Sequence, residues 1–262
     1  MQEIIITTVV IGVIGLIIGI ALVAAGKKFY VAVDEKAIAV RECLSGNNCG
    51  ACGYAGCDAV AAAIAAGDAP VNACPVCSAD AVAKIGGVMG VEAEAAERKT
   101  AQVKCSGDCE HTSAKCNYVG IEDCRAAALA GLNTGSCTFG CLGYGSCVKV
   151  CTYDAIHVVN GVAKVDTSKC VGCGMCAKAC PKGLIEVLRA DRTFVVQCSN
   201  KDRGPAVKKV CSAGCLGCGA CVKQCEHDAI HLEGNLAYID YDKCVGCGKC
   251  AEKCPAKNIV RQ

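Results

Sequence analysis

The chain has 262 residues, 28 of them cysteine, and a formal net charge of +2 at pH 7. This near-neutral charge indicates no particular partner, and we expect no binding to nucleic acid. A cysteine content this high is typical of disulfide scaffolds. However, tight Cys-x-x-Cys-x-x-Cys runs and the lack of a cleavable secretory signal favour metal–thiolate sites over disulfides.

An uncharged apolar run covers residues 4–25. As a helix it spans roughly 33 Å, enough for a hydrocarbon core of about 30 Å. Glu3 alone precedes it, whereas Lys27 and Lys28 follow, so the positive-inside rule places the rest of the chain in the cytoplasm. The alternative is a signal peptide, but the required basic n-region is missing. We predict a single-pass anchor over residues 1–28 in the cell (inner) membrane.

Residues 29–100 are predicted to form a small helical iron–sulfur domain. A short connection covers residues 27–42, and an Ala- and Glu-rich helix is expected over residues 78–100, weakened at Gly86 and Gly87. The spacing C-x2-C-x4-C-x16-C suits one [4Fe–4S] cluster, with zinc as the alternative. Its four ligands would be Cys49, Cys52, Cys57 and Cys74.

Two copies of one module follow, at residues 137–190 and 211–262, after a connector at 101–136 and around a linker at 191–210. Equivalent cysteines are 74 positions apart without a gap, as in the pair Cys137 and Cys211. A constant offset of this kind indicates a duplicated structural unit. We therefore predict an α+β, metal-stapled fold in which two tandem ferredoxin modules follow the helical domain.

The second module contains C-x2-C-x2-C-x3-C twice, which is the run of bacterial two-cluster ferredoxins. In that run, three close thiolates hold one cluster and the fourth crosses to the other cluster. One predicted set is Cys215, Cys218, Cys221 and Cys254. The other is Cys225, Cys244, Cys247 and Cys250.

The first module departs from this run, because Tyr144 stands where Cys218 stands in the second. A phenol is a poor substitute for a thiolate, so we expect Cys137 to complete the first set; a three-iron or missing cluster is the alternative. That set is Cys137, Cys141, Cys147 and Cys180. The partner set is Cys151, Cys170, Cys173 and Cys176.

Eight cysteines lie outside these five sets or lack a clear role. A sixth cluster could use Cys105, Cys109, Cys116 and Cys124, although their spacing matches no standard run. Otherwise they pack as small buried hydrophobic groups. No role follows from the sequence for Cys43, Cys77, Cys198 and Cys211. No catalytic acid–base or nucleophile set is recognisable, nor is any dinucleotide fingerprint. Five or possibly six clusters are expected.

The chain resembles the RnfB family of Rnf ion-translocating oxidoreductase complexes. The resemblance rests on the N-terminal apolar helix, NCGACGYAGC…CP, KCSGDC…YVGIEDCRAAALAG…CTFGCLGYGSCVKVC and the ferredoxin runs. It implies a component of an Na⁺- or H⁺-translocating ferredoxin:NAD⁺ oxidoreductase. Such a component would accept electrons from reduced ferredoxin and relay them to the membrane and peripheral subunits of the complex, with the NAD site on another subunit.

Two other functions remain open from the sequence. A membrane-bound polyferredoxin could serve a hydrogenase or a redox-sensor-reducing complex, and a zinc scaffold would have no redox role. Between the modules, Lys201, Arg203, Lys208 and Lys209 form a basic stretch, partly offset by Asp202. Because ferredoxins are usually acidic, this stretch is a candidate docking patch, although a solvated linker would have the same composition.

Overall fold

The computed structural model describes residues 2–28, 34–92, 97–131 and 134–261. Within helix α1 (Gln2–Lys28), the side chains of residues 2–5 and 7–11 lie outside this description. Counted over the described residues, no helix is long and apolar enough to cross a membrane.

Three helices form the small domain that follows: α2 (Glu35–Cys43), α3 (Cys57–Ala66) and α4 (Ala79–Met89). Asp34 and Ser78 cap α2 and α4, each accepting a hydrogen bond from a backbone N–H of the first turn. The helices enclose a core of small aliphatic side chains, with Val40 and Ile85 fully buried.

The predicted helix over residues 78–100 is observed only over α4, because Gly90 ends it in a left-handed conformation. Residues 93–96 lie outside the described residues. The predicted connection over 27–42 also differs from expectation, since it contains most of α2; its residues 29–33 are not described.

The duplication predicted from the sequence appears as two similar sets of helices and strands. The first module contains α6 (Ser146–Lys149), β2 (Ile156–Val159), β3 (Val162–Val165), α7 (Met175–Ala179) and β4 (Ile185–Arg189). The second contains α9 (Ala220–Gln224), β6 (Ile230–Glu233), β7 (Leu236–Ile239), α10 (Lys249–Glu252) and β8 (Ile259–Arg261). The strand pairs β2–β3 and β6–β7 are antiparallel hairpins.

Each module also uses a strand that lies outside its predicted boundaries. Strand β1 (Lys99–Val103) pairs antiparallel with β4, and β5 (Phe194–Val196) pairs antiparallel with β8. The modules therefore begin earlier in the chain than the cysteine spacing indicated. The sequence did not reveal this because strand pairing is a long-range contact.

The segment after the added strand is longer in the first module. Residues 104–136 lie between β1 and Cys137 and include α5 (Cys124–Leu129), whereas residues 197–210 lie between β5 and Cys211 and include α8 (Gly204–Val210). The insertion brings extra cysteines next to the first module.

A close backbone approach below the first run of each module requires glycine. A Cβ at Gly217 would lie 2.6 Å from the carbonyl oxygen of Asn235, and one at Gly143 would lie 2.7 Å from that of Gly161. Both glycines have positive φ. These contacts hold the β-hairpin turn of each module against the loop that contains the cysteines.

Candidate iron–sulfur sites

Three of the predicted cysteine sets each surround a single cavity. The first-module set is Cys151, Cys170, Cys173 and Cys176. The second-module sets are Cys215, Cys218, Cys221 and Cys254, and Cys225, Cys244, Cys247 and Cys250. These cavities have volumes of about 340 to 360 Å³ in two cases and about 330 Å³ in the third. In each set, residues distant in sequence approach the same space from several sides.

The remaining site of the first module differs from the grouping predicted from sequence. Its cavity, of about 400 Å³, is lined by Cys124, Cys141, Cys147 and Cys180. Cys137, which we expected to complete this set, lines a different cavity. Cys124 from the insertion occupies the place left by Tyr144, and spacing alone could not reveal it because the residue lies outside the repeat.

A hydrogen-bond network holds Cys124 beside this cavity. Asp123 caps α5, and its other carboxylate oxygen accepts from the hydroxyl of Ser146 at 2.8 Å. The Ser146 oxygen in turn accepts from the backbone N–H of Cys124 at 2.8 Å. Tyr144 turns away to pack against Tyr118, with ring centroids 5.4 Å apart. The insertion is thus tied directly to the helix that contains Cys147.

A fifth cavity, of about 440 Å³, lies where the two modules meet. It is lined by Cys105, Cys137, Cys198 and Cys211, with Cys141 shared with the neighbouring cavity. The sequence left two of these four unassigned and gave the others to different sets.

The four cysteines of the connector, expected as a possible sixth set, are not brought together. Cys105 and Cys124 line different cavities, whereas Cys109 and Cys116 are exposed to solvent. The sequence-based grouping failed because consecutive cysteines in an irregular segment point to different neighbours.

The N-terminal set lies beside the core of the helical domain. Cys57 and Cys74 are buried in that core and Cys52 packs against it, whereas Cys49 lies on the preceding loop. Asn48 accepts a hydrogen bond from the backbone N–H of Cys57 at 2.8 Å, which ties the loop to the start of α3.

Cys77, to which the sequence assigned no role, adjoins this set. Its hydrogen bond to Cys74 lowers the pKa of the Cys74 thiol to about 6, because it stabilises the thiolate. Cys77 therefore favours the form of Cys74 that can bind a metal.

The cavity walls have the features that an iron–sulfur cluster requires. Thiolate sulfurs accept backbone N–H groups at equivalent places: Ala155 donates to Cys151 at 3.5 Å and Ala229 to Cys225 at 3.3 Å. Burial raises the pKa of the Cys221 thiol to about 11, so the buried thiolate needs positive charge beside it. Among the described residues, no three His, Cys, Asp or Glu side chains converge on a single metal ion.

Asn258 is an unsatisfied polar group in one of these walls. It is 1 % exposed, lines the cavity of Cys215 and Cys254, and its side-chain amide has no hydrogen-bond partner among the described residues. Leu184 occupies the equivalent position of the first module. A buried amide without a partner is costly. Cluster sulfur would supply an acceptor for it, so this wall fits the group.

Comparisons with known families match the same parts of the chain. An Fe-S cluster family matches residues 44–76, a 4Fe-4S binding domain matches residues 163–186, and a 4Fe-4S dicluster domain matches residues 214–258. The fold and the cysteine-lined cavities therefore define an iron–sulfur protein that contains [4Fe–4S] domains in series.

The particular family follows from whole-chain similarity. The chain is 44% identical over 235 residues to the RnfB component of the Na⁺-translocating ferredoxin:NAD⁺ oxidoreductase complex of Acetobacterium woodii, covering 89% of this chain and 71% of that protein. It is 40% identical to the corresponding component of the proton-translocating complex of Clostridium ljungdahlii, covering 92% and 85%. It is 38% identical to that of the ion-translocating complex of Methanosarcina acetivorans, covering 94% of each. The chain belongs to the RnfB family, the electron-transfer subunits of ion-translocating oxidoreductases.

We predict that Asn258→Leu lowers the reduction potential of the cluster held by Cys215, Cys218, Cys221 and Cys254. One net hydrogen bond is worth about 1 kcal/mol, which corresponds to roughly 40 mV for one electron. A redox titration followed by electron paramagnetic resonance (EPR) measures the shift. Leu184→Asn is the matched control and should raise the potential of the equivalent first-module cluster. Unchanged potentials in both variants would show that this position does not contact a cluster.

Proposed function

We propose that the chain takes single electrons from reduced ferredoxin and relays them to the membrane subunits of its complex. The observation that carries this proposal is the succession of cysteine-lined cavities through both modules. When bound, [4Fe–4S] clusters supply one-electron chemistry at potentials set by charge, hydrogen bonds and exposure. Membership of the RnfB family favours this function over a polyferredoxin for a hydrogenase or a redox-sensor-reducing complex.

The helical domain directly contacts the first module, which supports an electron path between them. The side-chain amide of Asn47, two residues before Cys49, donates to the hydroxyl of Tyr153 at 2.6 Å. Tyr153 lines the cavity of the set that includes Cys173. Charge on Cys49 also contributes to raising the pKa of Cys173, after the larger effect of burial. The path thus leads from the ferredoxin modules toward the domain next to α1.

We propose that the residues before this domain anchor it to the membrane. Every side chain described between residues 12 and 28 of α1 is exposed, including Leu16, Ile20 and Leu22. A helix that is apolar on all sides and lacks a protein partner is typical of a membrane span. The basic residues Lys27 and Lys28 favour the cytoplasmic side for the clusters.

Deletion of residues 2–28 should release the protein from the membrane without loss of iron. The apolar helix would no longer partition into lipid, while no cysteine is removed. Membranes sedimented after a high-salt wash should retain the full chain and lose the shortened one. If high salt alone released the full chain, the anchor would be excluded and a peripheral attachment favoured.

We propose five ligand sets in these two modules and the helical domain. Four are those predicted from sequence, including the N-terminal set of Cys49, Cys52, Cys57 and Cys74. The fifth is Cys124, Cys141, Cys147 and Cys180, in which Cys124 replaces the predicted Cys137 because it lines the same cavity as the other three.

Substitution at Tyr144 gives a sharp test of the Cys124 assignment. Cys124→Ser should remove about four iron per chain, because one cluster loses a ligand. Adding Tyr144→Cys should restore them, since it recreates the regular run that the second module has at Cys218. Anaerobic iron and sulfide analysis measures both effects, and Tyr144→Cys alone serves as the control. Full iron content in Cys124→Ser, or loss of the same iron in Cys137→Ser instead, would contradict the assignment.

The basic stretch before the second module is a candidate surface for ferredoxin. Lys201, Arg203, Lys208 and Lys209 are exposed, and none forms an ion pair within the described part of the chain. Cys218, an exposed member of the nearest set, follows α8 closely in sequence. Electrostatic attraction of an acidic carrier to this surface would bring the donor near a cluster.

Stopped-flow mixing with reduced ferredoxin tests both the function and this surface. The full chain should show cluster bleaching at a rate that falls steeply with ionic strength. The double variant Lys208→Glu/Lys209→Glu should slow the association by about tenfold at low salt and much less at high salt. Lys249→Glu/Lys253→Glu, with the same charge change elsewhere on the module, should change the rate less. Absence of bleaching in the unmodified chain would refute electron uptake from ferredoxin; equal rates in both variants would refute only the docking surface.

A further inference from the structure

The two modules meet across an approximate twofold axis formed by equivalent residues. Val103 pairs with Ile185, and Val196 with Ile259, at equivalent positions of the two sheets. Cys105 follows Val103 by two residues, as Cys198 follows Val196. The two cysteines therefore leave equivalent strands at equivalent places.

The other two cysteines at the axis are also equivalent. Cys137 and Cys211 are related by the offset of 74 residues that relates the modules, and each begins a run of cluster-binding cysteines. Each accepts a tight-turn hydrogen bond through its carbonyl oxygen, from Gly140 and Gly214 respectively. The cavity at the axis thus receives two cysteines of the same kind from each module.

Hydrogen bonds across the axis are reciprocal. The hydroxyl of Ser106 donates to the carbonyl oxygen of Gln197 at 3.1 Å. The hydroxyl of Ser199 donates to the carbonyl oxygen of Lys104 at 2.9 Å. Such mutual contacts are the mark of an isologous interface, here within one chain. They fix the separation of the two strand ends and therefore of Cys105 and Cys198.

The sulfurs at the axis already accept hydrogen bonds as cluster-bound thiolates do. Cys198 Sγ accepts from the backbone N–H of Asn200 at 3.4 Å and from that of Cys215 at 3.3 Å. Cys137 Sγ accepts from the side-chain amide of Asn200 at 3.5 Å. These donors stabilise negative charge on sulfur.

Glycine keeps the space between these sulfurs open. A Cβ at Gly107 would lie 3.2 Å from Cys211 Sγ and 3.8 Å from Cys105 Sγ. Cys105, Cys198 and Cys211 come from three separate segments, yet all line a cavity with the largest volume of the five. Four sulfurs arranged around a space, with N–H donors behind them, form a site for a four-iron cluster.

We propose that Cys105, Cys137, Cys198 and Cys211 hold a sixth [4Fe–4S] cluster that joins the two ferredoxin modules. The inference rests on the proposed electron-carrier function and names the site that makes the two modules one path. Cys141 lines both this cavity and the neighbouring first-module cavity, and the N–H of Cys215 bonds to Cys198. The bridging site therefore adjoins one cluster of each module.

The step at the bridging site is a single-electron exchange. One electron leaves a neighbouring site, which returns to its 2+ state, and the bridging site goes from 2+ to 1+; a second exchange then passes the electron to the site on the other side. No bond forms or breaks and no proton moves. Reduced ferredoxin supplies the electron.

Single and double serine substitutions in the full chain test this site. Cys105→Ser, Cys198→Ser and the double variant should each lose the same iron, about four per chain, because the two cysteines serve one cluster. Cys109→Ser, which changes an exposed cysteine of the same segment, should lose none. Iron, sulfide and zinc are measured after anaerobic purification, and EPR of the reduced protein checks that the other clusters remain.

The outcomes separate clearly. Equal losses in the single and double variants establish one shared cluster. Undiminished iron, additive losses, or loss of one zinc in place of iron would overturn the bridging site. Mixing with reduced ferredoxin then adds an independent check: the double variant should bleach in two phases, the fast phase belonging to one module, whereas the full chain bleaches in one. Failure of ferredoxin to bleach even the unmodified chain would refute the proposed function and leave the iron result standing.

Discussion

The structure depends on sulfur-lined cavities in which the protein alone cannot complete its packing. Each ferredoxin module has a core of a few small aliphatic side chains, such as Ile156 or Ile239, interleaved with buried cysteines. Atoms that line an empty cavity lack contacts on one side, and burial disfavours their thiolates. Metal–thiolate bonds offset both costs, so folding and cluster loading are coupled. The short helices and two-stranded sheets act mainly to bring cysteines from distant segments to one space.

Gene duplication explains how the chain extends this arrangement beyond one module. The second module keeps the regular run, whereas the first has Tyr144 in place of one cysteine and gains a thiol from the insertion through Cys124. The same duplication gave each module two further cysteines facing its copy. Their meeting at an approximate twofold axis turns two separate two-cluster units into one continuous row of sites.

The sequence predicted best what depends on local spacing. Three of the four ferredoxin groupings follow from runs in which ligands lie two or three residues apart, and the structure brings each of them to one cavity. The duplication also appears in the structure as predicted. Strand β5 lay outside the predicted boundaries because it is short and its pairing with β8 is a long-range contact.

The groupings around Cys124 and Cys137 could not be predicted in the same way, because they depend on an insertion and on contact between modules. One signal of the bridging set is nevertheless present in the sequence: Lys104-Cys105-Ser106 and Gln197-Cys198-Ser199 both follow apolar stretches and differ by 93 residues. An offset other than 74 reveals the insertion and indicates that both cysteines belong to equivalent positions. The segments before each module, and not only the modules themselves, therefore contain the pattern that relates these cysteines.

The most direct test of the account is the iron, sulfide and zinc content of the full chain purified without oxygen, with EPR after reduction. Six sites require about 24 iron and equal sulfide per chain, with signals from interacting [4Fe–4S]⁺ centres. Fewer than about 12 iron after complete reconstitution, or zinc in place of iron, would contradict the central claim that these cysteines form a path for electrons.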